Sequence, residues 1–94
     1  MDIKILETVF NTIKDRKSNP KEGSYTNQLF NGGENRIIKK LGEENAEFIK
    51  AFLTEPKDRI ISESADIIYH LFVALAYKDI ELTELLDELK SRHK

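Results

Sequence analysis

Two short acidic clusters carry the residues best suited to chemistry in this chain, Glu43-Glu44-Asn45-Ala46-Glu47 and Glu63-Ser64-Ala65-Asp66. On a helix of about 3.6 residues per turn, Glu43 and Glu47, Glu44 and Glu47, and Glu63 and Asp66 each stand one turn apart, so each cluster aims its carboxylates one way. Like-charge neighbours at that spacing cost a helix about 0.2–0.5 kcal/mol per pair. A divalent cation removes the penalty, and ligands that are all carboxylate oxygen select a hard ion, Mg2+ or Mn2+ before Zn2+. The plainer reading is a pair of solvated acidic faces, because in a chain so rich in glutamate this spacing is only weakly specific. Asp66 weighs on the other side: set between Ala65 and Ile67-Ile68, it reads as buried, and a buried carboxylate requires a cation or several donors. On the residues alone, a metal centre and a structural ion pair both stay open.

Other chemistries fit less well. A ferritin-like di-iron site needs Glu-x-x-His on two helices, and His70 follows Asp66 at the wrong interval. His70 reads first as a hydrogen-bonded helix residue near the core, and His93 as a solvated tail residue. There is no G-x-x-x-x-G-K-[ST] loop, and Gly32-Gly33 reads as a helix stop. Arg16, Lys21, Arg36, Lys39 and Lys40 have the reach to meet phosphates, although surface charge is the ordinary role of each.

The elements that position these residues read as helices throughout, with no sustained alternation of period two. A first helix starts after Asp2 as N-cap, places Ile3, Leu6, Val9 or Phe10, and Ile13 on one face, and ends near Arg16. A loop rich in breakers follows, then a short helical turn over Ser24–Phe30 that Gly32-Gly33 stops. The second long helix runs from about Glu34 to Leu53 and buries Ile37, Ile38, Leu41, Phe48, Ala51 and Phe52. Pro56 opens a third, from about Lys57 to Tyr77, that is apolar nearly all round from Ile67 onward. A fourth begins near Leu82, with Leu82, Leu85, Leu86 and Leu89 at helical spacing. The short link at Glu55-Pro56 makes the second and third helices a hairpin, and the two acidic clusters lie at similar chain distances from it. They are therefore level with each other.

The 94 residues form one all-α domain, 1–94, of four to five helices. A chain this small cannot cover an all-round apolar helix by itself, so dimerisation is expected to complete the bundle. Fifteen basic against 17 acidic residues give a net charge of -2, which leaves no electrostatic footprint for general nucleic-acid binding. The longest apolar run, Ile67 to Tyr77, is too short to span a bilayer. Zero cysteines exclude a disulfide framework and a thiolate site and fit a reducing compartment. With no basic segment and apolar run at Met1-Asp2-Ile3-Lys4, the expected location is cytoplasmic.

The order Glu43-Glu44-x-x-Glu47 then Glu63-x-x-Asp66 resembles the all-α nucleoside triphosphate pyrophosphohydrolases, the MazG-like group. Arg16, Pro20, Ser24-Tyr25-Thr26-x-x-Leu29, Lys40-x-Gly42-Glu43-Glu44 and Glu63-x-Ala65-Asp66-x-x-Tyr69-His70 narrow the resemblance to the phosphoribosyl-ATP pyrophosphohydrolases of histidine biosynthesis. It covers about residues 3 to 92; Asn45-Ala46 departs from the Ala-Thr more usual there. The resemblance implies cleavage of phosphoribosyl-ATP between its α and β phosphates with Mg2+, giving phosphoribosyl-AMP and pyrophosphate. It implies Glu44, Glu47, Glu63 and Asp66 as metal ligands and Glu43 as the group that orients or deprotonates water. Lys40 would offset phosphate charge, and Arg16, Ser24, Tyr25 and Thr26 would line the substrate mouth. Many members are fused to phosphoribosyl-AMP cyclohydrolase, for which this chain is too short. Two alternatives stand beside this reading: a house-cleaning pyrophosphatase acting on free nucleoside triphosphates, and a helical dimerisation module without chemistry. The Ser24-Tyr25-Thr26 and Tyr69-His70 elements count against the first, and the carboxylates retained on an apolar hairpin against the second.

Overall fold

The Lys4 amide, one of the orphan donors that every helix start leaves, donates to Asp2 Oδ1 at 3.1 Å. Asp2 thus caps helix α1 (Lys4–Ser18) from one residue further out than expected, with Ile3 in the cap position. In this computed structural model, which describes residues 1–94, α1 is followed by α2 (Tyr25–Thr54), α3 (Lys57–Tyr77) and α4 (Leu82–Arg92), with no strand. Ser24 caps α2 by accepting from the Asn27 amide at 3.3 Å. Glu81 and Glu84 form a reciprocal capping box at the start of α4.

The expected stop at Gly32-Gly33 is a kink instead. Gly33 alone leaves helical geometry, at φ 75 and ψ -168, and the helix resumes at once, so the Ser24 turn and the long helix form one element. Only glycine holds that left-handed φ without steric cost. The Glu55-Pro56 turn then folds α2 and α3 into the expected hairpin.

The core joins Phe10 and Ile13 of α1 to Leu29 and Ile37 of α2, Phe72, Val73 and Ala76 of α3, and Leu82 of α4. Phe10 and Phe72 meet edge to face, with ring centroids 5.3 Å apart. Of the six residues expected on the buried side of the second helix, Ile37 and Ala51 are buried and Leu41 and Phe48 half-buried, whereas Ile38 is 58% and Phe52 65% exposed. Ile49, Leu53, Ile61 and Ile68 are exposed with them. Helical periodicity identifies an apolar face but not what covers it, and the other helices of a single chain leave this face of the hairpin bare. By length and composition α3 would suffice to cross a membrane, yet it supplies the core with Phe72, Val73 and Ala76.

One lysine closes the far end of α3. Lys17 Nζ donates to the carbonyls of Ala76 (3.2 Å) and Tyr77 (3.0 Å) and pairs with Asp79 at 2.6 Å. Helix C-termini leave carbonyls unsatisfied and carry partial negative charge, so this contact meets both needs. Lys17→Met should cost about 1–2 kcal/mol of stability while leaving the acidic clusters intact, as urea unfolding would show. An unchanged midpoint would mean that water satisfies these carbonyls equally well.

Candidate metal and phosphate site

The hairpin brings the two acidic clusters together as their spacing requires. Glu44 from α2 and Glu63 and Asp66 from α3 each present a carboxylate oxygen to one centre, all three atoms lying within 4.8 Å of one another. The buried member is Glu63, at 5% exposure, and Asp66 is not buried. The burial expected of Asp66 from its apolar neighbours therefore belongs to the carboxylate one turn earlier. Glu47 lies outside this triad, but its charge still acts on Glu63. Glu43 is also outside it, exposed and paired with Lys40 at 3.3 Å.

Burial pushes the Glu63 carboxyl above its ordinary range; Arg59 opposes the shift, and Asp66, Glu44 and Glu47 add to it. Arg59 forms an ion pair with Glu63 and also reaches Glu55 at 3.4 Å. The sequence reading missed Arg59, although its i, i+4 spacing to Glu63 was the available signal. Without a metal, the folded protein takes up a proton on Glu63 before the unfolded chain does, so stability should rise as pH falls from neutral toward the carboxylate range. Glu34, which a hydrogen bond from Lys78 holds below its ordinary range, gives up its own contribution only at still lower pH. Melting of chelator-treated protein between about pH 7 and pH 5 tests the sign, and Glu63→Gln should flatten the slope.

The three oxygens fit a hard divalent cation: they converge, they are anionic, and a single shared guanidinium is the nearest compensation for the buried one. Lys40 extends the site, standing 3.9 Å from Glu44 as well as close to Glu43. Its ammonium is held above the ordinary range, chiefly by the hydrogen bond to Glu43, so it stays charged. Beyond Lys40 an open groove of about 440 Å³ runs along α2, lined by Gly32, Asn35, Arg36, Lys39, Lys40 and Glu43.

The Ser-Tyr-Thr element divides by role. Ser24 Oγ is engaged as the helix cap, and Thr26, buried, bonds through its hydroxyl to that of Tyr69. Tyr25 is exposed, stacks on Tyr69 with centroids 6.2 Å apart, and meets His70 Nε2 at 3.0 Å through its hydroxyl. His70 is buried, and its Nδ1 lies 2.7 Å from the Asp66 carbonyl. A carbonyl can only accept, so Nδ1 carries the proton and, in the neutral ring, Nε2 accepts from Tyr25. The helix role expected of His70 holds, with the addition that it ties Tyr25 to the residue bearing a site carboxylate. Arg16 stands apart: its guanidinium pairs with Asp15 at 3.2 Å, and its carbonyl accepts from Asn27 Nδ2 at 2.7 Å. Asn27, buried and also accepting from the Lys21 amide at 2.8 Å, locks the loop to α2 and has no signal in the sequence pattern.

A helical hairpin that converges carboxylates beside a cationic groove is the arrangement that the resemblance to the all-α pyrophosphohydrolases implies. The family model described as phosphoribosyl-ATP pyrophosphohydrolase matches residues 6–93, and the chain belongs to that family. It is similar to the phosphoribosyl-ATP pyrophosphatase of Clostridium acetobutylicum, 48% identical over 95% of this chain and 81% of the relative. It is 47% identical to that of Sulfurisphaera tokodaii over the whole of both chains. It also aligns, at 48% identity, with 45% of the histidine biosynthesis bifunctional protein of Caldanaerobacter subterraneus subsp. tengcongensis.

Proposed function

We propose that this chain hydrolyses phosphoribosyl-ATP to phosphoribosyl-AMP and pyrophosphate, the second step of histidine biosynthesis. The observation that carries this reading is the Glu44–Glu63–Asp66 triad beside the Lys40 groove in a chain matched by that family over residues 6–93. Glu44, Glu63 and Asp66, with Glu47 as the fourth ligand, would hold Mg2+ or Mn2+. Bound there, the ion supplies neutralisation of the triphosphate and polarisation of the attacked phosphoryl group.

The chain's own residues do the rest. Lys40 meets phosphate charge next to Glu44, and its positive charge favours the leaving pyrophosphate. Glu43, the carboxylate of the two clusters not assigned to the metal, orients the attacking water and takes its proton. Tyr25, held by His70, presents its hydroxyl to the substrate mouth, which Arg16, Ser24 and Thr26 also line, Ser24 as the cap of α2 and Thr26 through its bond to Tyr69. One water is consumed, and the α–β anhydride bond alone is broken. Phosphorus NMR of the reaction tests that assignment: pyrophosphate is expected in step with phosphoribosyl-AMP, whereas orthophosphate would place cleavage at the terminal phosphate.

The same reading includes a cytoplasmic homodimer. Only 13 of 94 residues are buried in the single chain, and the bare apolar face of the α2–α3 hairpin is what a second copy would cover. An obligate interface through α3 should bury well over about 1,000 Å². Light scattering at micromolar concentration should give twice the chain mass, and a stable monomer would contradict this assembly.

A further inference from the structure

We infer that the Arg36 and Lys39 end of the groove along α2 is the subsite for the distal phosphate of the substrate's phosphoribosyl arm and so the feature that separates phosphoribosyl-ATP from ATP. This rests on the function proposed above and names which part of the substrate the groove reads. The two nucleotides differ by a ribose carrying a dianionic phosphate on the far side of the purine from the triphosphate. That phosphate needs cations of its own, because the acidic triad repels it and the metal is engaged by the triphosphate.

The groove supplies them at the right remove. It opens beside Glu44 at Lys40 and extends along the helix to Arg36, eight residues or roughly 12 Å of axial rise away. Neither Arg36 nor Lys39 enters any ion pair, while Lys40 is shared with Glu43 and Glu44. A pair of uncommitted cations sets it apart from the groove between α1 and α4, which has Lys4 alone beside Glu7. The groove between α1 and α3 is wholly apolar, and the small pocket holding Lys14 and Lys17 has both committed, to Glu81 and Asp79.

Gly32 helps to place the arginine. A side chain there would collide with the Arg36 stem, so its absence lets Arg36 lie back along the helix over the groove. Tyr25 lies within electrostatic reach of both ends, its hydroxyl sensing Lys40, Glu44 and Arg36.

The test uses three probes on the full chain: phosphoribosyl-AMP, which keeps the distal phosphate; AMP, which lacks it; and pyrophosphate, which is the leaving group alone. In Arg36→Gln with Lys39→Gln, affinity for phosphoribosyl-AMP by calorimetry should fall about tenfold or more, the scale of losing charge-assisted bonds to phosphate. Pyrophosphate inhibition and AMP affinity should stay as they were, and KM for phosphoribosyl-ATP should rise more than kcat falls. Gly32→Ala should reproduce part of the loss with no change of charge. Lys57→Gln with Lys94→Gln controls for net charge and should move none of these. Unchanged phosphoribosyl-AMP affinity in the groove variant, or an equal loss for pyrophosphate, would overturn the inference. Failure of the unaltered protein to cleave phosphoribosyl-ATP would count against the proposed function instead.

Discussion

Asp66→Asn should lower turnover by orders of magnitude while leaving the metal-free protein as stable as before, or slightly more so. The change keeps shape and volume but removes one of the three negative charges that converge within 4.8 Å. An amide oxygen is a poorer ligand for Mg2+, and a lost interaction of this kind appears in kcat as well as in kcat/KM. Stability should not suffer, because Asp66 is in no ion pair, and its contact with His70 runs through the backbone carbonyl, which the substitution retains. Relief of repulsion from Glu63, one turn away, acts in the stabilising direction by a few tenths of a kcal/mol, about 0.2–0.5. Melting temperature without metal and turnover at saturating Mg2+ should be measured on one preparation. A variant that melts much earlier yet turns over normally would remove Asp66 from the ligand set.

Removing the metal should have the second large effect. Excess EDTA should abolish turnover, since carboxylates cannot approach a triphosphate without cations between them. The helical circular dichroism should survive, because the core of Phe10, Ile13, Leu29, Ile37, Phe72 and Val73 lies in an apolar cluster with no dependence on the triad. Mn2+ should restore activity alongside Mg2+, and Zn2+ should do so poorly with oxygen ligands alone. Full activity in excess chelator would reject the carboxylate mechanism.

Much of this arrangement was legible in the residues. Pro56 and the apolar spacing on either side fixed the hairpin, and equal chain distances from that turn put Glu44 level with Glu63 and Asp66. Leu82 and Leu85 marked α4 because a helix start followed by apolar residues at helical spacing is a local signal. What was not legible depends on partners distant in the chain. Ile38 and Phe52 lie on the face that periodicity marks as apolar, and periodicity does not say what covers that face. A kink at Gly33 and a true helix stop share the same glycine signature, so the sequence does not separate them. Burial fell on Glu63 rather than Asp66 because neighbours in sequence point to other faces of a helix, so Ala65 and Ile67 say little about where Asp66 points. Asn27 and the Thr26–Tyr69 bond answer to tertiary contacts that no spacing encodes.

The central claim concerns the substrate, and relative kcat/KM measures it most directly. The protein should be incubated with Mg2+ and, in parallel, phosphoribosyl-ATP and a panel of free nucleoside triphosphates, with pyrophosphate release followed for each. Phosphoribosyl-ATP should be preferred by orders of magnitude over every free triphosphate. Hydrolysis of the free triphosphates with phosphoribosyl-ATP left intact would contradict it and favour a house-cleaning pyrophosphatase.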